Sequence, residues 1–370
     1  MGEALRIAAS VLDFIDRHAH APLDGDPETD AAFEQLALEI FAFQYQASPT
    51  YRAFCDRRAR TPDSVTSWTE IPAVPTSAFK SLDLHCAPVE KTFQTSGTTR
   101  GPDTRGRHHV PSLELYRRSA LPHFRRLVLP DGIRTRMLGL LGGPTLLPDS
   151  SLAQMTDWIL RHACGGDGEY LIDEGGFDPA TAAARIEAHA SEGRPLCLIG
   201  VRVAFTSLLE HCAATGRSIE LPPDSRIVDT GGAKGGRALS DAGFLAACWH
   251  RLGVAGYYCV NEYGMTELCS QYYDDVLVER FSGTNRKRRK VGPAWMRPRV
   301  VDPGTLDPLP DGEAGLVCHV DLANALSVLA VQTEDVGVLE GRRLVLRGRT
   351  PGAEPRGCAL ALADLLAGAA

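Results

Sequence analysis

GYYCVNEYGMTELCSQYY, residues 256–273, is the stretch on which the reading of this chain turns. The apolar run 254–260 is a strand candidate. Asn261, Glu262, Tyr263, Gly264, Met265, Thr266 and Glu267 follow it, at the C-terminal end of that strand, where ligands gather in open α/β sheets. An aromatic ring before a glycine, with a hydroxyl and a carboxylate just beyond, can do three jobs. Tyr263 can stack on a base, Thr266 can contact a phosphate, and Glu267 can offer oxygen to Mg²⁺. The same residues also fit a plain strand-to-helix turn in which Thr266 caps a helix.

Outward from this stretch, further strand candidates lie at 136–141, 196–201 and 226–229, with helical patterns at 179–190 and 238–252 between them. Strands interleaved with helices predict an α/β fold with a largely parallel sheet. Upstream, AAFEQLALEIFAFQYQ (31–46) repeats apolar residues at helical spacing, so the first part of the chain is expected to be helical. A Pro- and Ser/Thr-rich bridge covers 61–76. After Arg299 the texture changes to PRVVDPGTLDPLPDGEAGLVCHV, punctuated by Pro, Asp and Gly as hairpins are. The end, RGCALALADLLAGAA, is a short apolar helix candidate with Gly368 as its stop.

Three more segments carry chemistry. Thr95-Ser96-Gly97-Thr98-Thr99 sets small hydroxyl residues around a glycine, which lets backbone amides and hydroxyls approach a phosphate. A flexible polar loop would look the same. Asp229-Thr230-Gly231-Gly232-Ala233-Lys234-Gly235-Gly236 removes Cβ atoms after a strand candidate, as a close-approaching ligand or a tight turn requires. Lys234 is a candidate cation near that ligand or a solvated turn lysine. Gln332-Thr333-Glu334-Asp335-Val336-Gly337 precedes Leu346-Arg347-Gly348-Arg349; an acid in such a turn can accept from both ribose hydroxyls, and an arginine after a glycine fits a hinge or a nucleotide contact.

Composition excludes several classes. The 370 residues carry a net charge of −7 with 44% hydrophobic and 23% charged residues. A general nucleic-acid or anionic-membrane binder is usually basic, and no run is long and apolar enough to span a membrane. The acids and histidines in the first twenty residues do not fit a secretory signal, so a cytoplasmic location is expected. Ten cysteines with no C-x-x-C pair predict reduced thiols. The basic run 286–290 is expected to be a solvated loop or a docking surface for an acidic partner. His108 and His109 are adjacent, so their side chains point apart, and they are not read as a metal site.

In this order and spacing the motifs resemble the adenylate-forming superfamily of acyl- and aryl-CoA ligases, luciferase and adenylation domains. TSGTT resembles its phosphate loop, EYGMTE its adenine and magnesium motif, and VVDPGTLDPLPDGEAGLVCHV its small-barrel segment. TEDVG stands at its ribose aspartate and GR at its hinge. A closer similarity is to the LuxE-like acyl-protein synthetase branch, through IPAVPTSAFKS (71–81), TFQTSGTTRG, LPDSSLAQM (147–155), VDTGGAKGG, NEYGMTELCSQYY and the tail RGC. The resemblance implies the α/β large-domain fold of adenylate-forming enzymes: layered mixed sheets with helices plus a small distorted β-barrel. The core would be 1–347, with a helical part at 1–90, a nucleotide-binding α/β part at 91–297 and a small β part at 298–347. Residues 348–370 would be a short tail in place of the superfamily's mobile C-terminal lobe; no lysine follows Arg349.

The resemblance further implies an ATP-dependent acyl-protein ligase. It would form an acyl-AMP from a carboxylic, in particular a fatty, acid, move the acyl group to its own Cys358, and pass it to an acyl reductase or acyl carrier partner. Mg²⁺ falls to Glu267. Phosphate contacts fall to Thr95, Ser96, Gly97, Thr98, Thr99 and Thr266, adenine to Tyr263, Gly264, Gly232 and neighbouring Gly231 and Asn261, and ribose to Asp335, with Arg349 at the hinge. Arg356 and the helix candidate after Cys358 are features that lower a thiol pKa. Cys269 is the second-choice nucleophile and is read first as lining an acyl pocket. Two alternatives stand beside this reading: a ligase for coenzyme A or a carrier protein that uses an external thiol, and a non-catalytic acyl- or nucleotide-binding subunit of a reductase complex.

Overall fold

The computed structural model describes residues 2–95, 105–231, 239–284 and 287–349. The described residues pack as two units, each assembled from separated stretches: those within 2–123, 265–271 and 290–349 in the first, and those within 124–264 and 272–289 in the second.

The first unit opens with helices Gly2–His18, Pro27–Ala47 and Pro49–Arg57. Local chemistry fixes their ends. Asp26 caps the second helix by accepting the Thr29 amide, and Pro27 occupies its first turn. Ser48 ends that helix and caps the third by accepting the Tyr51 amide, again with a proline next. The second helix buries Phe33, Leu36, Ala37, Ile40 and Phe41, the face its spacing predicts. Its buried Gln44 reaches far along the sequence: Nε2 donates to the carbonyls of Asn324 at 3.1 Å and Ala325 at 2.8 Å, and Oε1 accepts the Leu329 amide at 3.0 Å. The turn 324–329 is thereby pinned to this helix.

The β part of this unit is antiparallel. Met296–Val301 pairs with Ala314–Asp321, which pairs with Ala330–Glu340, which pairs with Arg343–Arg349; Lys290–Val291 adds at the far edge. The predicted hairpin texture after Arg299 is this meander. Val74–Pro75 runs parallel to Ala330–Glu340, with Pro75 opposite Gln332. A separate hairpin joins Lys91–Gln94 to Arg107–Val110.

The second unit holds the parallel sheet. Its strands lie in the order Cys259–Tyr263, Arg226–Thr230, Leu196–Val201, Arg136–Leu140, Gly168–Tyr170, all parallel, with Tyr272–Asp274 antiparallel beside the first. The strands are apolar runs because both faces are covered. Leu138, Leu198 and Ile227 pack with Ile186, Phe205, Leu208 and Phe244 from helices Pro179–Ala190, Arg202–Ala214 and Asp241–Leu252. The third of these helices ends where Gly253 takes φ +69°, a conformation that favours glycine.

Two expectations are corrected here. The strand read at 254–260 begins only at Cys259, because Gly256–Tyr258 forms a 3₁₀ turn; the strand continues through Tyr263. The basic run is also not a solvated loop throughout. Arg288 donates to the Gly256 carbonyl at 2.7 Å and pairs with buried Asp274, and the Arg289 amide donates to Asp275 at 3.2 Å. Lys287 alone among the described residues of the run is exposed.

Candidate functional site

In the first unit Thr95 closes the hairpin. Its amide donates to the Gly106 carbonyl and its Oγ1 accepts the Gly106 amide, both at 2.9 Å. Ser96, Gly97, Thr98 and Thr99 lie outside the described residues. Strand alternation then buries His108 and Val110. His108 Nδ1 sits 2.7 Å from the Thr266 carbonyl oxygen, and Nε2 sits 3.0 Å from Ser327 Oγ. Burial pushes the ring pKa down to about 4, so it is neutral at pH 7. A carbonyl can only accept, so Nδ1 carries the proton and Nε2 accepts from Ser327. Neighbouring His109 faces the other way, against Thr92 Oγ1 and Asp83, each at 3.0 Å.

Glu267 is buried, 7% exposed. Its backbone carbonyl accepts Asn324 Nδ2 at 2.8 Å. Its carboxyl is pushed up to about 7, chiefly by burial and further by Asp335, against its own amide and the positive charges of Arg349 and Lys80. It makes no ion pair with a described residue. A buried carboxylate short of compensation is what a divalent cation would relieve. Among the described residues no three His, Cys, Asp or Glu side chains cluster as a protein cage. One carboxylate completed by substrate phosphates is the usual Mg²⁺ arrangement, and Glu267 fits it.

Asp335 lies on strand Ala330–Glu340, 7% exposed. Its amide donates to Thr333 Oγ1 at 3.0 Å, and Thr333 in turn donates to the Val317 carbonyl at 2.8 Å. Arg349 Nε donates to Asp335 Oδ1 at 2.7 Å. The acid read as a ribose ligand and the arginine read as a hinge are thus paired. Fully buried His319 also feels the Asp335 charge, while burial takes its pKa down to about 4.

In the second unit Gly231 ends the Arg226–Thr230 strand with φ +79°; Gly232 and Lys234 lie outside the described residues. Asn261 sits opposite Asp229 across parallel strands. Its Nδ2 donates to the Asp229 carbonyl at 3.0 Å and carboxylate at 2.7 Å, and its amide donates to Asp274 at 2.9 Å. Buried Arg202 donates to the same Asp229 carboxylate at 2.6 Å and to Asp241 at 3.0 Å. The Tyr263 ring lies 5.8 Å from that of Tyr272, tilted by 38°. Gly264 follows at the end of the strand, half-buried. Cys358 lies outside the described residues.

A family model described as acyl-protein synthetase, LuxE, matches residues 177–367. The chain belongs to this family. Two curated proteins similar to it are long-chain-fatty-acid–luciferin-component ligases. That of Aliivibrio fischeri is 22% identical over 349 residues, covering 90% of this chain and 88% of that protein. That of Vibrio harveyi is 24% identical over 350 residues, covering 89% and 87%. A solved 2-hydroxyisobutyryl-CoA ligase, in the postadenylation state with 2-HIB-AMP, matches with a TM-score of 0.64 at 13% identity, covering 90% of this chain and 69% of that chain. At that identity the likeness shows the fold, which is that of the adenylate-forming ligases. No described helix is long and apolar enough to cross a membrane.

Within this acyl-protein synthetase the sequence reading missed four residues. His108 and Asn324 hold the backbone of the Thr266–Glu267 segment, Ser327 holds the His108 ring, and exposed Lys80 lends its charge to Glu267. Alternation with Val110 was the available signal for His108. Lys80 lies in a segment quoted only for its resemblance. Asn324 and Ser327 gave no signal, because their role is to meet residues far away in sequence.

Proposed function

We propose that this acyl-protein synthetase activates a fatty acid with ATP and stores the acyl group as a thioester on Cys358 before passing it to a partner protein. The observation that carries the reading is the buried Glu267 carboxylate, short of a counter-charge, inside the family-matched segment. The ligase names of the two curated relatives support a long-chain acid as the substrate class.

In the first step a carboxylate oxygen attacks the α-phosphorus of ATP, the bond to the β-phosphate oxygen breaks, and acyl-AMP and pyrophosphate form. The acid is already ionised at neutral pH, so no general base is needed; what is needed is alignment and neutralised phosphate charge. Thr95, Ser96, Thr98, Thr99 and Thr266 supply hydroxyls to the phosphates, Tyr263 a face to the adenine, with Gly231, Gly232 and Asn261 around it, and Asp335 an acceptor pair to the ribose. Glu267 would hold Mg²⁺, which supplies charge neutralisation to the phosphates when bound. Lys234, Lys80 and Arg349 are the cations assigned to this chemistry. In the second step the Cys358 thiolate attacks the acyl carbonyl carbon, the bond to the phosphate oxygen breaks, and AMP leaves. An acyl reductase or an acyl carrier is the partner class we assign to the final transfer.

The test is intact-protein mass spectrometry after incubation with ATP, Mg²⁺ and a range of fatty and aromatic acids, with AMP measured in parallel. A hydroxylamine-sensitive acyl adduct is expected on the wild type and absent from Cys358→Ser. Glu267→Gln should lose AMP formation by at least ~100-fold, the scale of removing one group that stabilises developing charge. AMP release without any protein adduct would replace this reading with an external thiol acceptor.

A further inference from the structure

We infer that His108 is a positioning residue for adenylation: it ties the hairpin that bears Thr95 to the Thr266–Glu267 segment by holding the Thr266 carbonyl. The inference rests on the proposed ATP-dependent activation, because that reaction gives Thr266 and Glu267 their task. Two successive peptide carbonyls of the segment are held by two side chains. His108 Nδ1 takes that of Thr266 at 2.7 Å. Asn324 Nδ2 takes that of Glu267 at 2.8 Å, and Asn324 Oδ1 accepts the Cys269 amide at 3.0 Å.

The two clamps are joined. Ser327 Oγ, on the same turn as Asn324, lies 3.0 Å from His108 Nε2. The ring itself is held edge-on by Phe79, with centroids 5.8 Å apart at 84°, and Phe79 also lies beside Gly106 at the mouth of the hairpin. His108 is 1% exposed, so water cannot replace its bonds. Fixing consecutive carbonyls fixes the peptide planes on both sides of Glu267, the first of which also follows Thr266. The directions of the Thr266 hydroxyl and the Glu267 carboxylate follow from those planes. The reaction needs them held to a fraction of an ångström, and a misplacement of about 1 Å can cost on the order of 100-fold in rate.

The test compares two amides at this position. In His108→Asn the side-chain N–H stands where Nδ1 stands, toward Thr266. In His108→Gln it extends to where Nε2 stands, toward Ser327. Pyrophosphate exchange is measured with saturated acids from octanoate to hexadecanoate, separating KM for ATP, KM for the acid and kcat. We expect the Asn variant within about threefold of wild type. The Gln variant should lose about tenfold or more in kcat/KM for ATP, with KM for the acid unmoved. Hydrogen exchange of the peptide over residues 261–271 gives a second readout that needs no turnover; it should rise in the Gln variant and not in the Asn variant. Equal activity in the two variants, or a Gln variant that equals wild type in both readouts, overturns the inference. Failure of the wild type to exchange pyrophosphate with any acid removes the ATP reading instead, and the exchange of 261–271 then decides alone whether His108 holds the segment.

Discussion

Arg349 Nε lies 2.7 Å from Asp335 Oδ1, and the two residues are register partners across antiparallel strands. The pair joins two motifs that read as separate in sequence. The arginine side chain is 58% exposed, so the ion pair itself adds little stability. Its effect is to aim a carboxylate that Thr333 already anchors through its amide. Asp335→Ala should raise the KM for ATP by about tenfold or more and leave that for the acid unchanged, the pattern of lost nucleotide binding. Arg349→Ala should leave the melting temperature close to that of wild type. Titrating ATP at saturating acid, with parallel thermal melts, checks both.

Cys269 follows the nucleotide motif by two residues but is not fit for nucleophilic work. It is 2% exposed, and burial, with Asp321 beside it, pushes its thiol well above the ordinary range. A thiol that stays protonated is a poor nucleophile. Cys269→Ala should therefore keep the acyl adduct. Iodoacetamide at neutral pH should leave Cys269 unmodified in peptide maps of the folded protein. Labelling of Cys269 at the rate of a free thiol would contradict this.

A buried polar chain supports the segment after Glu267. Trp295 Nε1 donates to Ser119 Oγ at 2.7 Å, Ser119 stands 2.6 Å from Ser270 Oγ, and Ser270 donates to Asp321 at 2.6 Å. Since Ser119 receives the indole proton and Ser270 spends its own on Asp321, Ser119 donates to Ser270. Asp321 also accepts the amides of Cys269 at 3.1 Å and Ala323 at 3.0 Å. Ser270→Ala leaves a buried donor and a buried carboxylate short of partners, which costs about 1–3 kcal/mol. Equilibrium urea unfolding should show that loss; a change within about 0.5 kcal/mol, the scale of ordinary surface substitutions, would mean the chain relaxes around the gap.

His319 makes stability depend on acid. Its folded pKa is held at about 4 by burial, against an ordinary value of 6.5. Between those values the unfolded chain binds the proton more readily than the folded one. The contribution is therefore complete above pH 6.5 and is lost as the pH falls toward 4, by about 3 kcal/mol in all. His319→Gln removes this titration. Unfolding free energies at pH 7 and pH 4.5 should show wild type losing ground to the variant as the medium is acidified. A pH-independent difference would show that the ring titrates alike in both states.

The sequence by itself determined the parallel α/β sheet, the antiparallel strands after Arg299 and the helical beginning. Each rests on local signals: apolar runs with intervening helical periods, helical spacing of apolar residues, and turn residues. It also placed Asn261, Tyr263 and Gly264 at a strand end, although the strand start was misread because Gly256–Tyr258 turns as a 3₁₀ segment. Tertiary structure alone decided what surrounds Glu267. Asn324, Ser327, His108, Asp335 and Lys80 come from distant parts of the sequence, and a side chain gives no local sign of a partner far along the chain. The same holds for Gln44, whose helix is legible but whose partners at 324–329 are not. Periodicity records which face of an element is buried; which residues meet across that face follows only when the chain closes on itself.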